Sequence, residues 1–173
     1  MTSMDDIYRN YSDMLFRYLL SLCGDESLAE ELTQETFYQA VRSADHYDGT
    51  CKVTTWLCAI AKNKWKEYLR KHPATEEFEE SLFDRAGGSS GTGLPHGAAS
   101  GASAESDYFS NISKLEIHKA IHQLPDNTRE VVQLRIFGDL SFKEIAEVMD
   151  RTEEWARVTY YRGKLALRKE LTK

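Results

Sequence analysis

The chain reads as all-α, built from two small helical domains joined by a flexible linker. Three observations predict this. Apolar residues recur at steps of three and four near both ends of the chain, sharp helix-cap signals cluster between residues 138 and 152, and six of the ten glycines fall between Gly87 and Gly101. The last stretch also holds Ser89, Ser90, Ser100 and Pro95 and almost nothing able to fill a core, the composition of a flexible tether. The expected boundaries are residues 1–73 for the first domain, 74–110 for an acidic and then Gly/Ser-rich linker, and 111–173 for the second domain.

The first helix is carried by Ile7, Tyr11, Met14, Leu15, Tyr18, Leu19 and Leu22, with Asp5 and Asp6 in its first turn and Gly24 beyond its end. A second spans about Ser27 to Arg42. Wound at 100° per residue, it puts Leu28, Leu32, Thr33, Thr36, Phe37 and Ala40 on one half, and Glu30, Glu31, Gln34, Glu35 and Tyr38 on the other. One half is core and the other an acidic surface. Residues 43–53, with Asp48-Gly49, read as a loop, and Thr54 or Thr55 is expected to cap a third helix that stops before Pro73. On that helix Leu57, Ala61, Trp65 and Tyr68 share a core face, while Lys62, Lys66 and Arg70 form a cationic stripe expected to project away from it, beside Asn63.

In the C-terminal part, Ile117, Ile121 and Leu124 lead to Pro125, and Val131, Val132, Leu134 and Ile136 lead to Gly138. Ser141-Phe142-Lys143-Glu144 has the spacing of a capping box, with Leu140 and Ile145 placed as a hydrophobic staple. Asp150-Arg151 forms a short turn. Thr152 then caps a final helix whose first turn holds Glu153 and Glu154, favourable at the positive end of the helix dipole. Its core face carries Ala156, Tyr160, Gly163, Leu167 and Leu171, with Gly163 admitting a close neighbour; Arg157, Tyr161, Arg162, Arg168 and Lys169 lie elsewhere. Helix, short turn and basic helix outline a helix-turn-helix, whose second helix enters the major groove of DNA.

Charge is distributed unevenly. The net charge is −6, yet residues 1–72 carry 9 basic against 11 acidic side chains, 73–110 carry 1 against 7, and 111–173 carry 12 against 10. The middle holds the net negative charge, while Lys52–Lys71 and Arg151–Lys173 are locally basic, permitting polyanion binding at two places. Lysines beside an aromatic in the preceding loop, Tyr47, suit a single strand, with ammonium groups on phosphates and a ring under a base. Cys23, Cys51 and Cys58 form no CxxC pair, no His cluster has ligand spacing, and no metal or cofactor is expected. No run approaches the roughly 20 apolar residues of a membrane span, so membrane insertion is not expected and a cytoplasmic setting is. No nucleophile and base pair or phosphate-cradling glycine loop appears, so the chain is not expected to be an enzyme.

The two halves together resemble the extracytoplasmic-function sigma factors, the group of the sigma-70 family that keeps regions two and four without the domain between. Ala29-Glu30-Glu31-Leu32-Thr33-Gln34-Glu35-Thr36-Phe37 resembles the region-two helix that docks on RNA polymerase; Thr55-Trp56-Leu57 with Ile60-Ala61-Lys62-Asn63 resembles the promoter-melting helix; Leu124-Pro125, Arg129-Glu130-Val131 and Gly138 to Ala146 resemble region four. The resemblance implies an alternative, stress-responsive sigma factor that directs promoter-specific initiation. It implies core polymerase binding through Glu30, Glu31, Gln34 and Glu35; minus-ten recognition through Tyr47, Lys52, Lys62, Asn63, Lys66 and Arg70; and minus-thirty-five recognition through Lys143, Arg157, Thr159, Tyr161, Arg162, Arg168 and Lys169. Its partners would be core RNA polymerase, promoter DNA and an anti-sigma factor. Thr159 stands where the family often has a basic residue. The competing reading is a free-standing helix-turn-helix regulator, for which the acidic α-helical face would have no use.

Overall fold

A computed structural model describes residues 3–73 and 116–172; the expected linker, 74–110, lies outside the described residues. Helix α1 (Met4–Cys23) starts on a capping box in which the Ser3 hydroxyl accepts from Asp5 N–H and the Asp6 carboxylate accepts from Ser3 N–H. It ends at Gly24, whose φ of 69° is left-handed, a conformation that costs glycine little. Asp25 then caps α2 (Glu26–Arg42), its Oδ1 accepting from Leu28 N–H at 2.9 Å. A short 3-10 turn, Ala44–His46, leads into the loop before α3 (Val53–Lys71).

The start of α3 departs from the sequence expectation. Neither Thr54 nor Thr55 caps it. The helix begins at Val53 behind Lys52, with no side-chain cap, and Trp56 N–H closes the first turn on Lys52 C=O at 3.1 Å. Thr55 is drawn into the core at 3% exposure, which takes its hydroxyl away from the backbone donors it would have to serve.

Residues 116–122 form α4, followed by α5 (Asp126–Ile136), α6 (Phe142–Met149) and α7 (Glu153–Leu171). The capping box at Ser141 forms as its sequence indicates: Ser141 Oγ accepts from Glu144 N–H, and Glu144 Oε2 accepts from Ser141 N–H at 2.6 Å. Leu140 and Ile145 on either side are fully buried. Asp150 takes a left-handed φ of 53° to end α6, and Thr152 Oγ1 accepts from Trp155 N–H at 3.1 Å to begin α7. The turn between the two helices is therefore three residues long, Asp150 to Thr152, and tied at both ends.

The helices of the two halves share an apolar core. Leu15, Tyr18, Leu19, Leu32, Leu57, Cys58 and Ala61 from α1–α3 belong to the same buried cluster as Val131, Leu134, Leu140 and Ile145 from α5, α6 and the segment between them. Each fully buried leucine or isoleucine contributes about 1.5–3 kcal/mol. A smaller cluster of Ile121, Leu124 and Val132 closes the far end of the helix-turn-helix unit against α7. Among the described residues there is no strand and no helix long and apolar enough to cross a membrane.

Candidate nucleic-acid interface

Three faces carry the chemistry. On α2, Ala29, Leu32, Thr33, Thr36, Phe37 and Ala40 turn inward. The hydroxyls of Thr33 and Thr36 donate to the carbonyls of Ala29 and Leu32, four residues back, at 2.6 and 2.7 Å, so two polar groups are buried at no loss of pairing. Glu30, Glu31, Gln34 and Glu35 are all exposed on the opposite side. Tyr38, 65% exposed, and Val41 extend this face, with the Arg42 guanidinium 5.8 Å from the Tyr38 ring centre. An acidic surface with exposed apolar groups at its end suits a protein partner bearing positive charge. Val41 was readable from its three-residue step beyond Tyr38.

On α3 the expected stripe is divided. Lys62 does not project away: its side chain is only 13% exposed, with its Nζ paired with Glu130 Oε2 of α5 at 3.1 Å and lying 3.2 Å from the Met149 sulfur of α6. Lys66 reaches the other oxygen of the same carboxylate at 3.9 Å and stays half exposed, while Arg70, two turns beyond Lys62, is exposed. Asn63 is on a different side, where it borders a cleft of about 320 Å³ with Gln39, Ser43, Ile60, Lys64 and Glu67. In the preceding loop the Tyr47 ring stacks on Trp56 with centres 4.6 Å apart, and its hydroxyl donates to Cys51 C=O. That fixes the ring as a platform with one face already covered. Lys52 pairs with Glu144 at 3.2 Å yet is 77% exposed. Glu144 is held below the ordinary carboxylate range: burial pulls it up, but the Ser141 and Lys52 hydrogen bonds and the Lys52 charge outweigh this. The six candidate residues thus lie on one loop and one helix without converging on a single patch.

On α7, Ala156 and Gly163 are buried, and Tyr160 and Leu167 are half-buried against the hairpin. Arg157, Tyr161, Arg162, Arg168 and Lys169 are exposed, and Lys143 is exposed at the second position of α6. Arg157 pairs with Glu153 one turn back at 3.0 Å, a surface contact worth little and readily exchanged for a phosphate or base. Thr159 is a correction: at 8% exposure it belongs to the packed face and cannot reach a groove. Two side chains overlooked in the sequence replace it on the outer face, Val158 at 42% and Leu165 at 67% exposure, which with Tyr161 follow steps of three and four. That three- and four-residue period is the signal by which the sequence marks them. The Cys58 thiol, buried between the halves near Glu144, is pushed up to about 12 and is no nucleophile at neutral pH. Among the described residues no group of three His, Cys, Asp or Glu side chains could hold a metal ion.

Family models match in the same order along the chain: sigma-70 region 2 over residues 7–75 and sigma-70 region 4 over residues 114–167. The chain is 30% identical to the ECF RNA polymerase sigma factor SigW of Bacillus subtilis, over 96% of this chain and 87% of the relative, and 29% identical to SigM of the same organism, over 96% and 93%. In fold it is similar to the sigma factor RpoE of Bartonella quintana, solved in complex with the anti-sigma factor NepR, with a TM-score of 0.70 at 19% identity, covering 99% of this chain and 98% of that one. Two regions in order, the helix-turn-helix with its capped start, and full-length similarity to these relatives place the chain in the extracytoplasmic-function group of the sigma-70 family of RNA polymerase sigma factors.

Proposed function

We propose that the chain binds core RNA polymerase through the outer face of α2 and directs initiation at promoters by capturing the minus-ten strand on α3 and its loop and reading minus-thirty-five duplex with α7. The observation that carries this reading is the opposite polarity of two exposed faces in one molecule. Glu30, Glu31, Gln34 and Glu35 offer a surface that DNA repels, and Arg157, Arg162, Arg168 and Lys169 one that DNA attracts. A regulator touching only DNA has no use for the first. On α7, forked arginines suit guanine edges and Val158, Tyr161 and Leu165 suit thymine methyl groups. On α3, Lys62, Lys66 and Arg70 follow phosphates, and Tyr47 on its Trp56 support offers a ring to a flipped base. The reading is of an initiation factor acting in the cytoplasm with no chemistry of its own, and an anti-sigma protein is a further partner, as NepR is of the similarly folded RpoE.

Capture of labelled promoter fragments by the full chain, with and without core polymerase, tests this. Sequence-specific retention that requires the core enzyme is expected, because a chain of net charge −6 with two small basic faces has little long-range attraction for duplex. Equal retention without polymerase would favour the free-standing regulator.

A further inference from the structure

Two arginines from different helices share one aromatic ring. The guanidinium carbon of Arg135, on α5, lies 4.7 Å from the centre of the Phe142 ring, and that of Arg157, on α7, lies 5.7 Å from the same centre. Both distances fall within the roughly 6 Å over which a ring face attracts a cation. Phe142 is the first residue of α6, so the capping box of Ser141 and Glu144 fixes the backbone that carries it. Its ring is hemmed in by Tyr160 at 5.5 Å and Tyr161 at 6.4 Å between centres, and by Arg135, which is itself tied by a 2.8 Å hydrogen bond to Leu140 C=O. Phe142 is half-buried and Arg157 exposed, so a fixed apolar support stands beside a charged group that faces water.

Arg157 has a second neighbour, the Glu153 carboxylate at 3.0 Å, and the two contacts differ in what they leave free. An ion pair occupies N–H donors, and on an exposed surface it is weak. A contact with a ring face occupies none: the ring attracts the charge, and the five N–H donors of the guanidinium stay available. A base edge gripped by two donors at once needs that freedom together with a fixed direction. A guanidinium loose in water would have to lose rotamer freedom to find the direction, and the Phe142 ring supplies it beforehand.

We propose that Phe142 is a positioning residue for base recognition: its ring holds the Arg157 guanidinium so that the fork is presented to one base pair of the duplex, and Arg135 braces the ring from α5. Phe142 acts through Arg157 rather than by touching a base. The inference rests on the reading of Arg157 as a base contact.

Selection from promoters randomised at the minus-thirty-five element, with the full chain in complex with core polymerase, tests it. Phe142→Leu keeps the apolar bulk and removes the ring; it should reduce discrimination about two- to fivefold at the base position where Arg157→Ala does, and at no other. Phe142→Tyr keeps the ring and should retain wild-type preference. Adding Phe142→Leu to Arg157→Ala should cost no further discrimination, because the two residues act as one. A merely structural role would lower affinity evenly across sequences, and that result from Phe142→Leu, or a changed preference in Phe142→Tyr, would overturn the proposal. If Arg157→Ala leaves preference unchanged, the base-contact reading falls and the proposal with it; if Arg157→Ala shifts preference and Phe142→Leu does not, only the positioning role falls. The wild-type chain gives a measurement that needs no variant to fold. The ring current of Phe142 should move the Arg157 side-chain proton resonances upfield of their free-arginine positions, and unshifted resonances would overturn the proposal.

Discussion

Gly163 of α7 packs so closely on Val132 of α5 that a Cβ at position 163 would stand 2.7 Å from Val132 Cγ2, and 2.9 Å from Thr128 Cγ2. Both neighbours are β-branched and stiff at χ1, so neither can swing aside. This approach is what seats α7 on the hairpin and turns Arg157, Tyr161 and Arg162 outward. Gly163→Ala should therefore destabilise the protein by about 1–3 kcal/mol through overpacking, outweighing the roughly 1 kcal/mol that alanine gains in a helix. Urea unfolding measures it. In a Val132→Ala background the same change should cost less by at least about 0.5 kcal/mol, and equal costs would show that the two residues do not meet.

The α2 face yields a prediction on assembly. Charge reversal at Glu31 and Glu35 should weaken association with core polymerase by roughly tenfold, about 1.4 kcal/mol, with helicity unchanged because both side chains are exposed. Co-sedimentation with core at wild-type strength, in a correctly folded variant, would remove the face from the interface.

On α7 the exposed and buried positions should part company. Alanine at Arg157 or Arg162 should cost about 1–3 kcal/mol of duplex binding in the polymerase complex and relax preference at one base position, whereas alanine at Arg168 or Lys169 should cost affinity evenly across sequences. Thr159→Ala should leave base preference untouched, since the side chain is inside the hairpin. Selection from randomised minus-thirty-five sequences separates these outcomes, and a preference shifted by Thr159→Ala would contradict the assignment of faces.

Acid should loosen α4. His118 stacks on Phe137 with ring centres 5.4 Å apart, and burial holds its imidazole below the ordinary 6.5. The unfolded chain then binds a proton that the folded one refuses. Stability from this group is complete above about pH 6.5 and declines as pH falls from there toward the depressed folded value. Thermal melts at about pH 7.5 and 5.5 should show a larger drop for wild type than for His118→Gln, whose side chain does not titrate. Parallel drops would exclude His118 as the cause.

Which parts of this were readable beforehand follows from the range of the forces. Gly24, the Ser141–Glu144 box and the Thr152 cap are encoded within a turn or two of helix and legible residue by residue, whereas Gly163 signals room for a close neighbour without naming Val132 or Thr128. Thr55 misled because a good capping residue close to a helix start is not used when burial claims its side chain, and Thr54 because the helix already begins one residue earlier, at Val53. Thr159 misled because the family's position for a basic residue is carried over to it, and its burial shows only once the neighbouring helix is in place. The pairing of Gln133 with Ser21, 112 positions away, and of Lys62 with Glu130 had no local signature at all. A glutamine or lysine at such positions has the same helical periodicity whether it meets water or another helix.

Promoter-specific initiation is the activity that the three exposed faces together would serve. Run-off transcription with purified core polymerase and the full chain, on a library randomised at the minus-ten and minus-thirty-five elements, measures it directly. The predicted result is transcripts that depend on both proteins and enrich two short sequence blocks, with preference in the upstream block altered by Arg157→Ala or Arg162→Ala and in the downstream block by Tyr47→Ala. Transcripts no more abundant or selective than with core polymerase alone would contradict it.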